Sequence, residues 1–495
     1  MHAPPLADAP RRLAPSLAVL LAMLLQLGCA GPPPRATDAV PVSPPDAFTA
    51  TGEPGEPAES VLAAAAWLDS LGPPALRALV DEALRENRNL NATRARLASA
   101  TAQARIDGAA RWPSLEAGLT AARTQRNSTG GLAVISSTSN NFDLSLDTRW
   151  EVDVWGRLRN ATRAAVADAQ AAEADLRAGE LSLTAAVASA WFNALTARDQ
   201  LALAEQTVTS FEASLGIIES RFRRGLVGAL DLRLARTDLA AARAAVSSRE
   251  AALDARLRAF EVLLGRYPAA NVTQPETGFP DLAPIPTGLP SELLLRRPDL
   301  RAAERRLAAA TQRLRAAGKA RFLPSFVLTA SGGRASPTFD ELLDPEFLVW
   351  QIAAGITQPL FQAGRLAAQV ERTRAQLDEA VASYGQTALE AFEEVETALL
   401  AERTLAEEVA ARDVAVREAV AALELARADY QRGLTDVITL LSSQRRAFDA
   451  RQALLDSRNT RIQNRIDLHL ALGGGFKSVP GAMLTMDTDA RDVTN

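Results

Sequence analysis

The chain has 495 residues, a formal net charge of -5 and one cysteine, Cys29. That length can build several domains' worth of core, the charge gives no footing for nucleic acid, and one cysteine allows neither an internal disulfide nor a cysteine metal cluster. Lysine occurs only at Lys319 and Lys477 and histidine only at His2 and His469, and no paired acid–base set, nucleophile constellation, metal cluster or phosphate loop is present, so the sequence reads as neither an enzyme nor a cofactor binder.

Arg11-Arg12 precede an apolar run from Leu13 to Leu27, which ends at Gly28-Cys29. A positive start, an apolar stretch and a small residue mark residues 1–28 as an export signal, too short for a membrane anchor. Cys29 stands where a bacterial lipoprotein carries its lipid, although Gln26 occupies the place where the usual motif has Leu. An ordinary signal peptide with an incidental cysteine is the competing reading. The position of Cys29, and its being the only cysteine, favour lipidation. Ala30 follows it, not the Asp that retains lipoproteins in the inner membrane. Residues 29–60, rich in Pro and Gly, read as a flexible lipid-anchored tether.

The remainder is one design used twice. Asn89-Leu90, Arg96-Leu97, Gly108 and Arg111 recur as Asp299-Leu300, Arg306-Leu307, Gly318 and Arg321. Gly156-Arg157-Leu158 recurs at Gly364-Arg365-Leu366, Phe222-Arg223-Arg224-Gly225-Leu226 at Tyr430-Gln431-Arg432-Gly433-Leu434, and Leu264-Gly265 at Leu472-Gly473. These last three matches share a single offset of 208 residues, so no net insertion separates them. Loops drift in length; helical hairpins that must keep their reach do not.

Repeat 1 covers 61–266. It begins with a helix from Ala75 to about Trp112, broken near Asn87-Arg88, and continues with a β-hairpin at about 114–154. Long helices follow at 156–224 and 230–264. A Pro-rich crossover at 267–290 leads to repeat 2 at 291–475, with a helix from Pro298 to Phe322, a hairpin at about 325–361, and helices at 364–432 and 437–472. Residues 476–495 read as a polar tail. Pro298 suits a first helical turn and Asp299 its positive end. The run from Gly156 to Gly225 corresponds to about 100 Å of helix, more than an ordinary globular domain uses. Val187, Trp191 and Leu195 continue from Thr184 at helical spacing, as do Leu389, Phe392, Val395 and Leu399 in the second copy. Both sets read as helix–helix packing. His469 reads as a packing or surface residue.

The hairpins carry the membrane argument. From Asn141 to Val154, Phe142, Leu144, Leu146, Thr148, Trp150, Val152 and Val154 alternate with Asn141, Asp143, Ser145, Asp147, Arg149, Glu151 and Asp153. Side chains on a strand alternate faces, so one face is greasy and the other wet and acidic. No apolar run after residue 30 reaches the ~20 residues of a membrane helix, so any crossing of a membrane falls to strands. Four strands cannot close a barrel, and an open edge in lipid strands its backbone polar groups. The barrel must be shared. Two chains give eight strands and a filled interior, three give twelve and room for a water-filled bore, and a larger ring meets the same constraint. The acids Asp143, Asp147, Glu151 and Asp153 need such a bore, or at least solvent, and so favour the trimer.

With these residues in place, the chain from about 60 to 475 resembles the outer-membrane factor family, the TolC-like channels of efflux pumps and type I secretion systems. The stretch Gly288-Leu289-Pro290-Ser291-Glu292-Leu293-Leu294, then Arg296-Arg297-Pro298-Asp299-Leu300 and Ala303-Glu304-Arg305-Arg306-Leu307, resembles the NodT-type efflux lipoproteins. Trp67, Leu76, Ala83-Leu84, Asn87 and Leu90 resemble the family's first helix. The resemblance implies a mainly α fold with transmembrane β structure: a homotrimer with a shared twelve-strand barrel in the outer membrane, facing its lipid, and a helical barrel in the periplasm. It implies a periplasmic adaptor and an inner-membrane transporter of the resistance-nodulation-division type as partners, and no cofactor or metal.

The resemblance also assigns the far ends of the long helices. Gly225-Leu226 and Gly433-Leu434 would meet the adaptor, with Tyr430 at the second tip. Asp231 matches an acidic position at the aperture, and Asp436 stands near Ser442, where members of the family carry Asp. A solvated turn residue is the competing reading for each acid. The expected function is a passive trimeric conduit for small-molecule efflux. An outer channel for protein secretion is the alternative within the same fold, and a periplasmic coiled-coil scaffold the alternative outside it.

Overall fold

The structure, a computed structural model, describes residues 66–130, 133–272, 278–282, 285 and 296–474. The export signal, Cys29, its tether, much of the crossover and the tail from 476 onward lie outside the described residues. In chain order come α1 (Ala66–Leu71), α2 (Pro74–Glu86), α3 (Arg88–Ala109), β1 (Ser114–Gly130) and β2 (Ala133–Val152). Next are α4 (Arg157–Arg223), α5 (Ala229–Leu264), α6 (Pro298–Phe322), β3 (Ser325–Ser336) and β4 (Leu348–Thr357). α7 (Arg365–Arg432) and α8 (Val437–Ala471) complete the chain. Two 3-10 turns, Asp340–Leu343 and Pro345–Phe347, join β3 to β4.

Local chemistry sets the boundaries. Asn87 leaves the helical region, with ψ at 124°, and its side chain accepts from the Leu90 amide at 3.0 Å, capping α3. Its Nδ2 also donates to the Leu263 carbonyl at 2.9 Å, tying the break to the end of α5. α6 starts on Pro298, where the missing N–H costs nothing. Each long helix is entered through a left-handed glycine, Gly156 at φ 73° and Gly364 at φ 82°.

The strands form one antiparallel sheet in the order β1-β2-β3-β4, with β1 and β4 as open edges. β1 and β2 fill the expected hairpin at about 114–154 almost to its turn, and β2 begins before Asn141. Their ladder continues from Ala122 opposite Asn141 to Gly130 opposite Ala133. No proline occurs between Pro113 and Pro268, so nothing in the Ser/Thr-rich connection withdraws a ladder donor. In the second hairpin Pro337 and Pro345 fall between the strands, and the ladder stops at Arg334 opposite Leu348. β2 ends at Val152, short of the expected Val154, because Asp153 is used otherwise. Its carboxylate accepts from the Leu158 and Arg159 amides at 3.0 and 2.8 Å, capping α4.

α4 is the shared member of both halves of the helical body. Toward the sheet it packs between α3 and α6, with α7 beyond α6; away from the sheet it packs between α5 and α8. The main core sits between these halves. Trp191, Phe192, Phe260, Leu264 and Ile466 are fully buried there, and Trp191 meets Phe260 edge-on at 6.4 Å. Val187, Trp191, Leu195, Val395 and Leu399 are buried as their spacing predicts. Leu389 is not: it is 40% exposed on the outside of α7.

Candidate functional site: the sheet face and the helix tips

The pairing register settles which residues share a face. Leu115, Ala117, Leu119 and Ala121 of β1 lie opposite Thr148, Leu146, Leu144 and Phe142 of β2. Thr148, Trp150 and Val152 of β2 continue through Ala330, Leu328 and Phe326 of β3 to Ile352, Ala354 and Ile356 of β4. That face is apolar except at Gly332, Arg334 and Ser336 of β3, which lie opposite Leu146, Leu144 and Phe142, and it is exposed: Leu119 is 63%, Ile352 74% and Trp350 73% exposed. On β2 the band runs from Phe142 to Val152, and on β4 from Leu348 to Ile356. Strand segments of about 9–11 residues cross a bilayer, so the band has the height of a hydrocarbon core. Beyond Ala121 and Phe142 the register pairs Arg123 with Asn140, Thr124 with Ser139 and Arg126 with Ser137, polar on both faces.

The opposite face carries both acids expected from the sequence. Asp143 lies between Thr120 and Ala335, and Asp147 between Glu116 and Ser331. Ser145 donates to Asp147 at 2.7 Å. Two carboxylates directly opposite one another repel unless water screens them, so the Glu116–Asp147 pair requires a wet face. A groove of about 390 Å³ runs across it, lined among others by Glu116, Asp147, Arg149 and Gln351. Glu116 and Gln351 were not singled out from sequence, because neither joins this face until the register of β1 and β4 is known.

At the other end of the long helices, both tips are Schellman turns. The Gly225 amide donates to the Phe222 carbonyl at 2.9 Å and the Leu226 amide to Arg221 at 3.0 Å. Gly433 and Leu434 repeat this onto Tyr430 and Asp429, at 3.1 and 2.9 Å. Gly225 and Gly433 sit at φ 72° and 78°. The residue after such a glycine usually packs back on the helix. Here the facing residues are Arg221 and Asp429, which offer no apolar contact, and Leu226 and Leu434 stay 59% and 71% exposed.

Tyr430 is placed differently from these leucines. It is 2% exposed, so its ring does not face outward to a partner. Arg221 reaches across from the first tip, donates to the Tyr430 carbonyl and stacks over its ring at 4.7 Å. Burial first, and then Asp231, push the Tyr430 phenol above its usual range, with Arg221 opposing them. Asp231 thus lies beside the joint between the tips. Asp436 caps α8, accepting from the Thr439 amide at 2.7 Å, and that bond holds its carboxyl below the usual range. Ser442 donates back to the Thr439 carbonyl. Arg221 was not singled out from sequence, yet a signal was there: at the 208-residue offset it answers Asp429, an inversion of charge between otherwise matching tips.

Among the described residues no group of side chains could hold a metal ion, and no helix is long and apolar enough to cross a membrane. The profile of the outer membrane efflux protein family matches residues 79–266 and 289–474. The chain belongs to that family. It is 32% identical over 419 residues to the toluene efflux pump outer membrane protein TtgF of Pseudomonas putida, covering 85% of this chain and 87% of that one. The solvent efflux pump outer membrane protein SrpC of Pseudomonas putida is 33% identical over 404 residues, covering 81% and 86%. Among solved structures, the outer-membrane channel OprN superposes with a TM-score of 0.81 at 28% identity, covering 90% of this chain and 99% of that one. The open state of the MtrE outer membrane channel of Neisseria gonorrhoeae gives 0.77 at 27%, covering 90% and 97%.

The fold is therefore TolC-like. As a member of the efflux family, the chain is the outer-membrane component of an efflux pump, with its helices extending into the periplasm. It is a passive conduit, not an enzyme, and an outer-membrane component implies an adaptor and an inner-membrane pump beside it.

Proposed function

We propose that three copies of this chain pool their hairpins into one closed twelve-strand barrel, and that small toxic compounds leave through its bore. The observation that carries the reading is the exposed apolar band that all four strands share, broken on β3 only at Gly332, Arg334 and Ser336, between two open edges. An open edge inside lipid costs several kcal/mol for each stranded backbone group, and pairing the β4 edge of one copy with the β1 edge of the next removes that cost. The face bearing Asp143, Asp147 and Glu116 then lines the bore, where solvent separates the acids.

In this reading Leu226 and Leu434 are the apolar contacts offered to the adaptor at Gly225 and Gly433. Asp231 and Asp436 ring the aperture with negative charge, and Tyr430 acts from beneath as part of the joint. The inner-membrane partner is a transporter of the resistance-nodulation-division type, which supplies the energy, and Cys29 carries a lipid anchor. The toluene, solvent and antibiotic pumps among the relatives support a cargo of small, largely apolar molecules.

Two measurements test this. Native mass spectrometry of the detergent-extracted protein is expected to give three copies; a stable monomer would sink the shared barrel. Deleting the protein is expected to raise cellular accumulation of apolar dyes and solvents. Unchanged accumulation across a broad panel, metal ions included, would remove the efflux cargo.

A further inference from the structure

Just below the apolar band, the two sides of the α3–α4–α6 wall are charged differently. On the side of the sheet's polar face, a cavity of about 580 Å³ contains Arg157, Arg313 and Arg372 together with Asp107 and Asp168. Two of its three arginines are paired: Arg313 with Asp168, and Arg157, which donates to Glu151 at 2.7 and 2.8 Å.

On the opposite side a larger cavity, about 840 Å³, is lined by Arg105, Arg111, Arg159, Arg163 and Arg305, with no carboxylate in its wall. Arg159 makes a long contact to Asp153 at 3.5 Å, and Arg305 one to Glu304 at 3.9 Å. Among the described residues Arg105, Arg111 and Arg163 have no ion-pair partner. The Gln312 Oε1, a buried acceptor with no hydrogen-bond partner, belongs to the same wall.

Five guanidinium groups around one cavity repel each other, and an anion removes the repulsion. Phosphate, like carboxylate, has oxygens that match the guanidinium fork, and it is the anion a membrane surface offers. The surroundings say where the phosphate comes from. Trp150, on the apolar face, donates through Nε1 to the carbonyl of Arg111 at 2.9 Å. Trp155 donates to the Pro324 carbonyl at 2.9 Å and lies 6.1 Å from Phe326, also on the apolar face. Trp112 is 70% exposed at the same level. Tryptophans at this height mark the headgroup layer, and the arginines stand directly beneath them. Basic pockets in that position bind anionic lipid headgroups. The cavity's walls all come from one chain and α4 is its middle helix, so a ring closed through the α3 and α7 edges leaves it open outward.

We infer that this cavity binds the phosphate headgroup of an anionic phospholipid from the periplasmic leaflet of the outer membrane. The phosphate takes the unpaired arginines, and a headgroup hydroxyl donates to the Gln312 Oε1. The inference needs the outer-membrane location and, for an outward-facing mouth, the proposed closed ring, but not the efflux cargo. Lipid capture and transport therefore fail separately.

The test is binding of phosphatidylglycerol to the delipidated full-length protein in nonionic detergent, against phosphatidylcholine and inorganic phosphate. Phosphatidylglycerol is expected to bind saturably and at least about tenfold more tightly than phosphatidylcholine. The double variant Arg105→Gln, Arg163→Gln is expected to lose at least about tenfold of that affinity, whereas Arg313→Gln on the opposite side keeps it. Both arginines are exposed and unpaired, so the double variant removes no packing. Should it fail to fold, Arg305→Gln, which gives up only the 3.9 Å contact to Glu304, carries the same test with a smaller drop. Equal binding of the two lipids, or unchanged binding in the variants, overturns the site. Inorganic phosphate competing at the concentration of the lipid overturns the lipid assignment.

Discussion

The same turn appears four times in this chain, twice at the equator and twice at the tips, and its surroundings make it two different objects. Gly265 and Gly473 end the return helices, and Gly225 and Gly433 end the long ones, all with φ between 72° and 83°. At the equator the turns are embedded. A Cβ on Gly265 would stand 2.6 Å from the Glu86 carbonyl oxygen, and one on Gly473 would stand 3.2 Å from the Arg297 amide nitrogen. At the tips a Cβ on Gly225 meets nothing within 4 Å, and one on Gly433 meets only the end of the Arg221 side chain at 3.6 Å. Identical backbone geometry is packed against neighbouring backbone in one place and stands clear of it in the other.

The largest expected effect is at the equator, where charge is buried. Glu402 accepts from Arg461 Nε at 3.1 Å and from Arg465 at 2.5 Å, and both Glu402 and Arg465 are less than 8% exposed. Glu402→Ala leaves two guanidinium groups without their carboxylate and is expected to cost roughly 3–5 kcal/mol. A thermal midpoint unchanged from wild type would show that solvent already reaches the cluster.

Next in size, and aimed directly at the comparison, are paired glycine substitutions. Gly225→Ala is expected to cost about 1 kcal/mol, the strain of a left-handed alanine. Gly265→Ala adds a backbone collision that no rotamer relieves, and is expected to cost at least twice that. Equal midpoints for the two variants would mean that the equator yields as readily as the tip.

The pH response falls at the equator too. His469 stacks on Trp67 at 5.1 Å, and its pKa is pushed down to about 4 by burial first and then by Arg465, with Glu402 opposing. An unfolded histidine titrates near 6.5. Between those values the unfolded chain takes up a proton that the folded chain refuses. Stability is therefore full above about pH 6.5 and declines as the pH falls toward 4, by roughly 3 kcal/mol at most. His469→Phe is expected to flatten the midpoint over that range, and a wild-type midpoint that rises on acidification would reverse the argument.

Which of these features could be read from the sequence follows from the range of the interactions that make them. The 208-residue offset and the Phe/Tyr-x-x-Gly-Leu element located both tips, because a helix end is a local event written in a few residues. The alternation from Phe142 to Val152 located the membrane band, because a strand's two faces need no partner to be distinguished. Asp153 looked like one more acid on the wet face. It caps α4 instead, a role that depends on where a strand stops. Asp436 reads as an aperture acid from the sequence, and the structure adds a bond the sequence did not show, from the Thr439 amide to its carboxylate. Glu116 and the five-arginine cavity were hidden because they exist only once register and helix order bring distant residues together.

The smallest expected effect concerns the joint between the tips. Arg221→Ala removes a stacked cation and a hydrogen bond to a carbonyl, and is expected to cost about 1 kcal/mol. Tyr430→Phe is expected to cost less still, or to stabilise slightly, because the Tyr430 hydroxyl is buried without a hydrogen-bond partner among the described residues. Within a single copy that hydroxyl has no use, and deleting it spares a desolvated group. The informative outcome is a split between stability and flux. If Tyr430→Phe keeps its thermal midpoint yet leaks small solutes through the channel, the hydroxyl's partner belongs to another copy, and the free end of the comparison is fastened between chains. If both stay at wild-type values, the hydroxyl takes no part in holding the channel closed, and the joint rests on Arg221.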